Sequence, residues 1–254
     1  MKSDELDEKM RAGEIFHNLR ALNGTFIVVR VDGRSFSRLT GRICEKPFDH
    51  GFHHKMTEAA KAVLTTLDGV YAHTQSDEIS VLLAQNASHF DRGVEKLVSI
   101  AASAATASLS LALGEPVEFD ARLWLGARKG DVVDYFRWRQ SDATRSAINN
   151  WVYWLLRKEG KSVKDATQTM VGLSTAAKNE MLFKRGINFN EVPAWQRRGA
   201  GIYWETITKI GKNPKTGQEV PTQRRRLKVD SDLPMKEAYG KFVRQFLKEE
   251  AESG

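Results

Sequence analysis

Cysteine is almost missing from this chain, which contains one, Cys44, among 254 residues. A single thiol excludes an intrachain disulfide and a zinc site built from several cysteines, and it is typical of a reducing compartment. We also predict no N-terminal signal peptide, because the first ten residues are mostly charged.

Long apolar runs are missing too. The longest uncharged stretch, residues 97–113, contains several Ser and Thr residues and is shorter than the roughly 20 apolar residues that a membrane span needs. We interpret it as a buried helix. Hydrophobic residues make up 41% of the chain and charged residues 28%, as in soluble globular proteins. We therefore expect a cytoplasmic protein that has no membrane partner.

The chain has no net charge outside one segment. The chain carries +7 at pH 7, and residues 197–228 contain nine basic and two acidic residues, so the remainder is formally neutral. Positive charge confined in this way is typical of a surface that binds a polyanion, and we predict an RNA-binding surface there. The alternative is a solvated hairpin that happens to be basic. The predicted RNA-binding residues are Arg197, Arg198, Lys209, Lys212, Lys215, Arg224, Arg225, Arg226 and Lys228.

Two short stretches carry carboxylates next to apolar runs. In VRVDGRSF, residues 29–36, Asp32 comes after the run FIVV, and in QSDEIS, residues 75–80, Asp77 precedes ISVLL. Two acidic residues at strand ends, both beside small residues, predict a divalent metal site that faces phosphates. This combination indicates an enzyme that acts on nucleotides.

The first half of the chain predicts an α+β fold. Apolar spacing and Gly/Pro-type turn signals give a strand at 25–31, a helix at 50–67, strands at 70–74 and 78–83 around a tight turn, a helix at 89–113 and a strand at 117–125. This order is the split βαβ, or ferredoxin-like (βαββαβ), arrangement. In that arrangement the first strand lies beside the central hairpin, so Asp32 and Asp77 can come within metal-bridging distance. Polymerase palm domains and nucleotide cyclases share this architecture, although a fold does not prove a function.

After Gly130 the pattern becomes helical. We predict helices over 131–159, from an N-cap at Ser162 to about 170, and over 175–184. A basic hairpin follows at 201–210 and 220–229 with its turn at 213–217, and an amphipathic helix covers 234–249. We divide the chain into a palm-like catalytic domain, 1–130, and a region, 131–254, that holds these helices and the basic hairpin segment 197–229 and packs on the palm as one unit. Trp138, Trp151 and Trp154 are interpreted as packing residues.

The carboxylates match what magnesium prefers. Mg²⁺ binds hard oxygen ligands and usually keeps one or two protein carboxylates plus substrate phosphates, so Asp32, Asp77 and the Gly33 carbonyl are the predicted ligands of two ions. Glu78 follows Asp77 and should point to the opposite face of a strand, which makes it a weaker candidate. The plain alternative is that Asp32 and Gly33 form an ordinary turn. His50, His53 and His54 have spacing that could face zinc, but a polar helix face is the simpler interpretation.

Six motifs in register resemble the tRNA-His guanylyltransferase family over roughly residues 25–205. They are VRVDGRSF (29–36), KPFD (46–49), QSDEIS (75–80), FDARLWL (119–125), DYFRWRQSD (134–142) and KNEMLF (178–183). The resemblance implies a palm domain that works in the direction opposite to ordinary polymerases, adding nucleotides to the 5′ end of tRNA. A 5′-monophosphate is first activated with ATP or GTP, and the 3′-hydroxyl of the incoming nucleotide then attacks it.

The resemblance also implies residue roles. Asp32, Gly33 and Asp77 would hold two Mg²⁺ ions, and Lys46 would neutralise phosphate during activation. Lys178 and Asn179 would lie near a second phosphate or the tRNA end, and the family tends toward homotetramers. The residues that would hold the nucleotide triphosphate are Asp32, Gly33, Arg34, Ser35, Phe36, Ser37, Ser76 and Asp77.

One segment departs from the family. Eukaryotic members carry His-Ile-Asn-Asn, linked to selection of tRNA-His, where this chain has residues 144–147, TRSA, and the family's His in the first motif is Ser37. The pattern resembles the bacterial and archaeal guanylyltransferase-like branch, which extends 5′-truncated tRNAs against a template. We therefore predict template-dependent 5′-end repair, with strict guanylylation of tRNA-His as the alternative. Rivals of other classes are a nucleotide cyclase and a non-catalytic RNA-binding protein.

Overall fold

The structure is a computed structural model that describes residues 3–212, except the side chain of Lys212, and residues 218–247. Its elements in chain order are α1 (Ser3–Arg11), β1 (Phe26–Gly33), α2 (Phe36–Ile43), α3 (His50–Thr66), β2 (Gly69–Gln75), β3 (Glu78–Leu83), α4 (Val94–Leu113), β4 (Phe119–Gly126), α5 (Lys129–Lys158), α6 (Val163–Met170), α7 (Thr175–Phe183), α8 (Ala194–Arg198), β5 (Ala200–Lys212), β6 (Glu219–Asp230) and α9 (Lys236–Arg244).

One antiparallel sheet organises the described residues, with the strand order β4-β1-β3-β2-β5-β6. The predicted neighbours are confirmed, since β1 pairs with β3 and brings Asp32 opposite Glu78. The predicted hairpin is also confirmed, and β5 pairs with β2, so the hairpin extends the sheet. Its predicted turn at 213–217 lies outside the described residues. The division into two domains stays a prediction.

Helices cover both faces of the sheet because successive side chains of a strand point to opposite sides. Val29, Val31 and Val81 point toward α3 and α4 and form one core with them. Val28 and Leu82 point the other way, into a second core with α5 and α9. A third cluster joins the second half of α5 to α6 and α7. The α5 face of the sheet is the one that carries Asp32.

The predicted helix over 89–113 begins later than expected. Residues His89–Arg92 form a 3₁₀ turn, and Phe90, Asp91 and Arg92 have φ values of 54°, 50° and 55°. The guanidinium of Arg92 fixes this turn, because it donates hydrogen bonds to the carbonyl oxygens of four residues. These are Ala21, Leu22, Thr25 and Ala87.

Helix α4 is buried along one face only, which corrects the prediction of a buried helix. Leu97, Ala101, Ala105 and Leu109, spaced four apart, are its buried residues, and Leu111 is 85% exposed. By length and composition α4 could cross a membrane, a test that core helices also pass. Its last residue is Leu113, as predicted, and Gly114 follows with a left-handed φ of 73°.

The predicted helices of the second half are confirmed, and the Ser162 side chain accepts a hydrogen bond from the Asp165 amide, as expected of an N-cap. The C-terminal helix begins at Lys236 and is followed by a 3₁₀ turn, Gln245–Leu247, beyond which the chain is not described. Helices α1, α2 and α8 were not predicted from the sequence.

Candidate active site

The backbone holds Asp32 and Asp77 together. Asp32 is next to last in β1, and Asp77 follows Ser76 in the two-residue turn between β2 and β3. The Gly33 amide donates a 3.1 Å hydrogen bond to the Asp77 carbonyl, which ties that turn to the end of β1. Ser76 has a φ of 55°, as a tight hairpin turn requires. The two carboxylates predicted from the sequence are therefore neighbours.

Gly33 is required by a close approach of the chain to itself. A Cβ atom at this position would lie 2.4 Å from the ring of Phe36, which opens α2. That ring is 3% exposed and packs against Phe119 at 5.0 Å and Phe52 at 6.2 Å between centroids, so it has little room to move. Glycine allows the chain to turn from β1 into α2 directly after Asp32.

Two cavities meet at Asp77. The first has a volume of about 480 Å³ and is lined by polar residues that include Ser37 and Lys46, with Trp154 and Trp195 among its aromatic residues. The second, about 440 Å³, contains Asp32, Glu78, Arg139 and Asp142. The residues common to both are Phe48, Gln75, Ser76, Asp77 and Asn150. A substrate that occupies both cavities would pass Asp77.

Lys46 is placed on the wall of the first cavity, as its predicted role requires. Its ammonium lies 5.6 Å from the centroid of the Trp154 ring. Burial lowers the pKa of Lys46, while Cys44 and Asp49 act in the opposite direction. The sequence interpretation of Trp154 as a packing residue therefore misses its position beside this cation and in the cavity.

His53 closes part of the same cavity. Its ring stacks on Trp195, with centroids 4.2 Å apart and an angle of 19° between planes. Burial, followed by the neighbouring His50 and His54, lowers the pKa of His53 to about 4, so the ring is neutral at pH 7. In the described part of the chain, no three His, Cys, Asp or Glu residues are grouped to hold a metal ion. These histidines therefore do not form the zinc site that their spacing would allow.

The electrostatics at Asp77 favour a bound cation. Burial raises the pKa of Asp77 to about 6, hydrogen bonds from its own amide and from Ser76 lower it, and the charges of Asp32 and Glu78 raise it. Two neighbouring carboxylates of like charge become more stable when a divalent cation lies between them. Asp32, Asp77 and the Gly33 carbonyl are hard oxygen donors in the small number that Mg²⁺ uses, so the residues present fit this ion.

Glu78 shares a sheet face with Asp32, which corrects the predicted orientation. That prediction counted alternating faces from Asp77, but Asp77 lies in the turn, outside the alternation, and Glu78 is the Cα partner of Asp32. Arg139 of α5 binds Glu78 through two hydrogen bonds of 2.7 and 2.6 Å and also binds Asp142. Burial raises the pKa of Glu78, and Arg139 offsets part of that effect. Glu78 is therefore held in an ion pair beside the site.

The predicted triphosphate loop is divided by Phe36. Ser37 and Ser76 line the first cavity, whereas Arg34 and Ser35 line a separate recess and Arg34 pairs with Glu118 at 3.0 Å. Ser35 has a left-handed φ of 61°.

Helix α7 carries two further predicted residues, and neither lines either cavity. Lys178 and Asn179 lie on this helix, where the Asn179 amide donates to the Thr175 carbonyl. Their contact with a phosphate or a tRNA end stays a prediction.

The basic hairpin concentrates cations on one face. The register places Lys209, Arg224, Arg226 and Lys228 on the same side, and Glu205 on that side binds Arg226 at 2.7 Å. Arg225 points to the other side, where its guanidinium lies 5.0 Å from the centroid of the Trp204 ring. All five of these cationic residues are exposed.

Arg197 and Arg198 have internal partners, unlike the exposed cations of the hairpin. Arg197 donates to the Val192 carbonyl. The Arg198 side chain is 13% exposed and binds the Leu233 carbonyl and Asp232. Both residues are half-buried, and their contact with RNA stays a prediction. Lys215 and the Lys212 side chain lie outside the described residues.

The segment that departs from the family pattern lies on α5 beside the second cavity. Ser146 lines that cavity, Arg145 pairs with Asp142, and Asn150 lies where the two cavities meet. Arg139, Asn150 and Trp195 were missed as site residues. The motif DYFRWRQSD contained a signal for Arg139, since it places a cation and Asp142 on one helix face.

Comparisons with known proteins agree in pointing to one family. The family model described as tRNAHis guanylyltransferase matches residues 7–129, and the one described as Thg1 C terminal domain matches residues 130–238. A probable tRNA(His) guanylyltransferase of Mus musculus is 33% identical over 198 residues, which are 73% of this chain and 66% of that protein. One of Dictyostelium discoideum is 34% identical over 204 residues, which are 75% of this chain and 80% of that protein. The chain thus spans slightly less than two thirds of the mouse relative.

A solved structure resembles the whole chain. It is that of a bacterial tRNA(His) guanylyltransferase (Thg1)-like protein in complex with ATP, with a TM-score of 0.77 and 24% identity, covering 95% of this chain and 99% of that chain. This likeness supports the mixed fold of helices and antiparallel strands.

Proposed function

Because the chain belongs to the tRNA-His guanylyltransferase family, we propose that it is a template-dependent nucleotidyltransferase that adds nucleotides to the 5′ end of tRNA. The observation that carries the proposal is the pair Asp32 and Asp77, with Asp77 lying where two cavities meet. We interpret the order β4-β1-β3-β2 as a ferredoxin-like palm. A cytoplasmic homotetramer remains our expectation for the assembled enzyme.

The proposed reaction has two steps. An oxygen of the tRNA 5′-monophosphate attacks the α-phosphorus of ATP or GTP, and pyrophosphate leaves. The 3′-hydroxyl of an incoming nucleoside triphosphate then loses its proton, attacks the activated 5′-phosphorus and displaces AMP or GMP. The new phosphodiester bond lengthens the 5′ end by one nucleotide, which keeps its own triphosphate.

The residues of the first cavity supply the binding chemistry. Lys46 offers a cation to a phosphate, and the hydroxyls of Ser37 and Ser76 are hydrogen-bond donors on the same wall. Trp154 and Trp195 provide aromatic surface for a nucleoside. These groups orient a nucleotide so that its phosphates reach Asp77.

Asp32, Asp77 and the Gly33 carbonyl are the groups that would hold Mg²⁺. When bound there, Mg²⁺ would lower the pKa of an attacking hydroxyl and stabilise the charge of a leaving pyrophosphate. Arg139 contributes by keeping Glu78 in an ion pair, which leaves Asp32 and Asp77 as the carboxylates open to the cavities.

A segment of α5 is the basis on which we propose the RNA substrate. Residues 144–147 are TRSA in place of the His-Ile-Asn-Asn linked to tRNA-His, and this supports repair of 5′-truncated tRNAs. Strict guanylylation of tRNA-His is the second candidate, because the curated relatives bear that name. A cyclase is disfavoured by family membership and by the basic hairpin, which a cyclase does not need. A non-catalytic RNA-binding protein is disfavoured by the intact pair Asp32 and Asp77.

The test compares two RNAs. The protein is incubated with Mg²⁺, each NTP and either a tRNA that lacks its first nucleotide or an intact tRNA-His, and the products are sized. We expect faster extension of the truncated tRNA, by the nucleotide complementary to the opposite strand. Faster addition of G to intact tRNA-His would favour the second candidate, and no addition to either RNA would refute both.

A further inference from the structure

Trp138 is the most exposed of the six tryptophans, with 51% of its surface exposed, and the sequence interpretation of it as a packing residue is wrong. It lies on α5, between the buried residues Phe136 and Gln140. An exposed indole gives up the burial that makes large apolar side chains stabilising.

The indole is held firmly although it is exposed. The Arg139 guanidinium lies 4.3 Å from the centroid of the Trp138 ring, and Arg139 is itself fixed by Glu78 and Asp142. The ring of Tyr135 contacts Trp138 edge-on at 5.8 Å. The Arg139 guanidinium covers part of the ring, so an unpaired nucleobase would stack on the part of the indole that stays exposed.

Arg30 adds a cation that forms no ion pair within 4 Å among the described residues, although its charge helps to lower the pKa of Glu78. Its guanidinium carbon lies 5.9 Å from the centroid of the Trp138 ring, and its buried Nε has no hydrogen-bond partner. Three nearby arginines, by contrast, do form ion pairs. Those three are Arg122, Arg137 and Arg145, paired with Asp120, Asp134 and Asp142. Arg30 can therefore meet a phosphate without giving up an existing ion pair.

Trp138 and Arg30 lie close to the predicted metal-binding carboxylates. Arg30 precedes Asp32 by two positions on β1, so both point to the α5 face about 7 Å apart along the strand. Asp142, one helical turn after Trp138, lines the cavity that contains Asp32. A nucleotide that stacks on Trp138 would lie directly outside that cavity.

We propose that Trp138 and Arg30 bind one unpaired nucleotide of the RNA substrate, the base on the indole and its phosphate at the guanidinium. The inference rests on the proposed function, because it takes the RNA to be a tRNA whose acceptor stem ends in a single-stranded 3′ extension. The site thus holds the end of the strand opposite to the one that is extended.

The test measures RNA binding in the absence of NTPs, so that the result does not depend on catalysis. Two probes are used, a 5′-truncated tRNA transcript and the same transcript without its single-stranded 3′ nucleotides. The variants are Trp138→Ser and Trp138→Phe, and Leu111→Ser is the matched control, because Leu111 is 85% exposed on the opposite side of the sheet. We expect Trp138→Ser to weaken binding of the first probe by about 5- to 150-fold, with little effect on the second, and Trp138→Phe and Leu111→Ser to remain close to wild type.

Other outcomes overturn the proposal. An equal loss for both probes would show that Trp138 acts on the fold or on the duplex, and unchanged binding would exclude a base contact. A lower sedimentation coefficient with unchanged RNA binding would assign the indole to contact between copies of the chain, and weakened ATP binding alone would assign it to free nucleotide. If Trp138→Ser weakens binding of the first probe alone, but the wild-type protein adds no nucleotide to a tRNA, only the proposed function is refuted.

Discussion

Replacing Arg139 with methionine should leave a carboxylate stranded inside the protein. The Arg139 side chain is 11% exposed and that of Glu78 is 16% exposed, and two short hydrogen bonds of 2.7 and 2.6 Å join them. Methionine keeps the aliphatic stem but removes the charge and the donors. Glu78 would then have no cation within hydrogen-bonding distance among the described residues.

The expected cost follows from this burial. Removing one partner of a buried ion pair costs about 3–5 kcal/mol, because the remaining charge is neither solvated nor paired. For a chain of this size, that corresponds to a fall in melting temperature of roughly 6–20 °C. The pKa of Glu78 is already raised by burial, and without Arg139 it should rise further. A carboxyl with a raised pKa in the folded state destabilises most at high pH, so the loss should be larger at pH 8 than at pH 5.

Urea unfolding of the single variant and of the double variant Glu78→Leu, Arg139→Met measures this directly. Because the double variant strands no charge, it should recover most of the free energy of unfolding, to within about 1–2 kcal/mol of wild type. A loss under about 1 kcal/mol in the single variant, or a double variant no more stable than the single one, would show that Arg139 does not stabilise a buried Glu78 charge.

Two further substitutions test the turn after β1 and the basic hairpin. Gly33→Ala should cost about 1–3 kcal/mol of stability by urea unfolding, because its Cβ would lie 2.4 Å from the buried Phe36 ring, and an unchanged midpoint would contradict this packing. Changing Arg224, Arg225 and Arg226 to Gln should weaken tRNA binding and reduce the log–log salt slope by up to about 0.9 for each phosphate that the hairpin no longer neutralises. A slope equal to that of wild type would remove this part of the hairpin from the RNA interface.

The order of elements could be predicted from the sequence because it follows from local patterns. Apolar spacing locates α3, α5 and the strands, and the residues at Gly114 and Ser162 mark helix ends. The late start of α4 could not be predicted, because the 3₁₀ turn before it depends on Arg92 reaching carbonyl groups up to 71 residues away in the chain. The pairing of β5 with β2 is likewise long-range.

The carboxylate pair could be predicted because Asp32 and Asp77 flank strands that this topology makes neighbours. The orientation of Glu78 could not be predicted, because moving the boundary between turn and strand by one residue reverses the face of the sheet to which a side chain points. Its partner Arg139 is 61 residues away. The half-exposed Trp138 was also missed, because the helical spacing of α5 does not reveal which positions meet the sheet and which meet solvent.

Single-turnover extension of a 5′-truncated tRNA in the presence of Mg²⁺ shows whether nucleotide addition depends on Asp32 and Asp77. Asp77→Asn and Asp32→Asn are compared with the control Asp120→Asn. Asp120 lies on β4 as the Cα partner of Asp32, and its carboxylate pairs with Arg122. We predict that the first two variants remain folded and lose at least about 100-fold in rate, while Asp120→Asn stays near wild type. Extension by Asp77→Asn at the rate of the Asp120→Asn control would exclude Asp77 from catalysis.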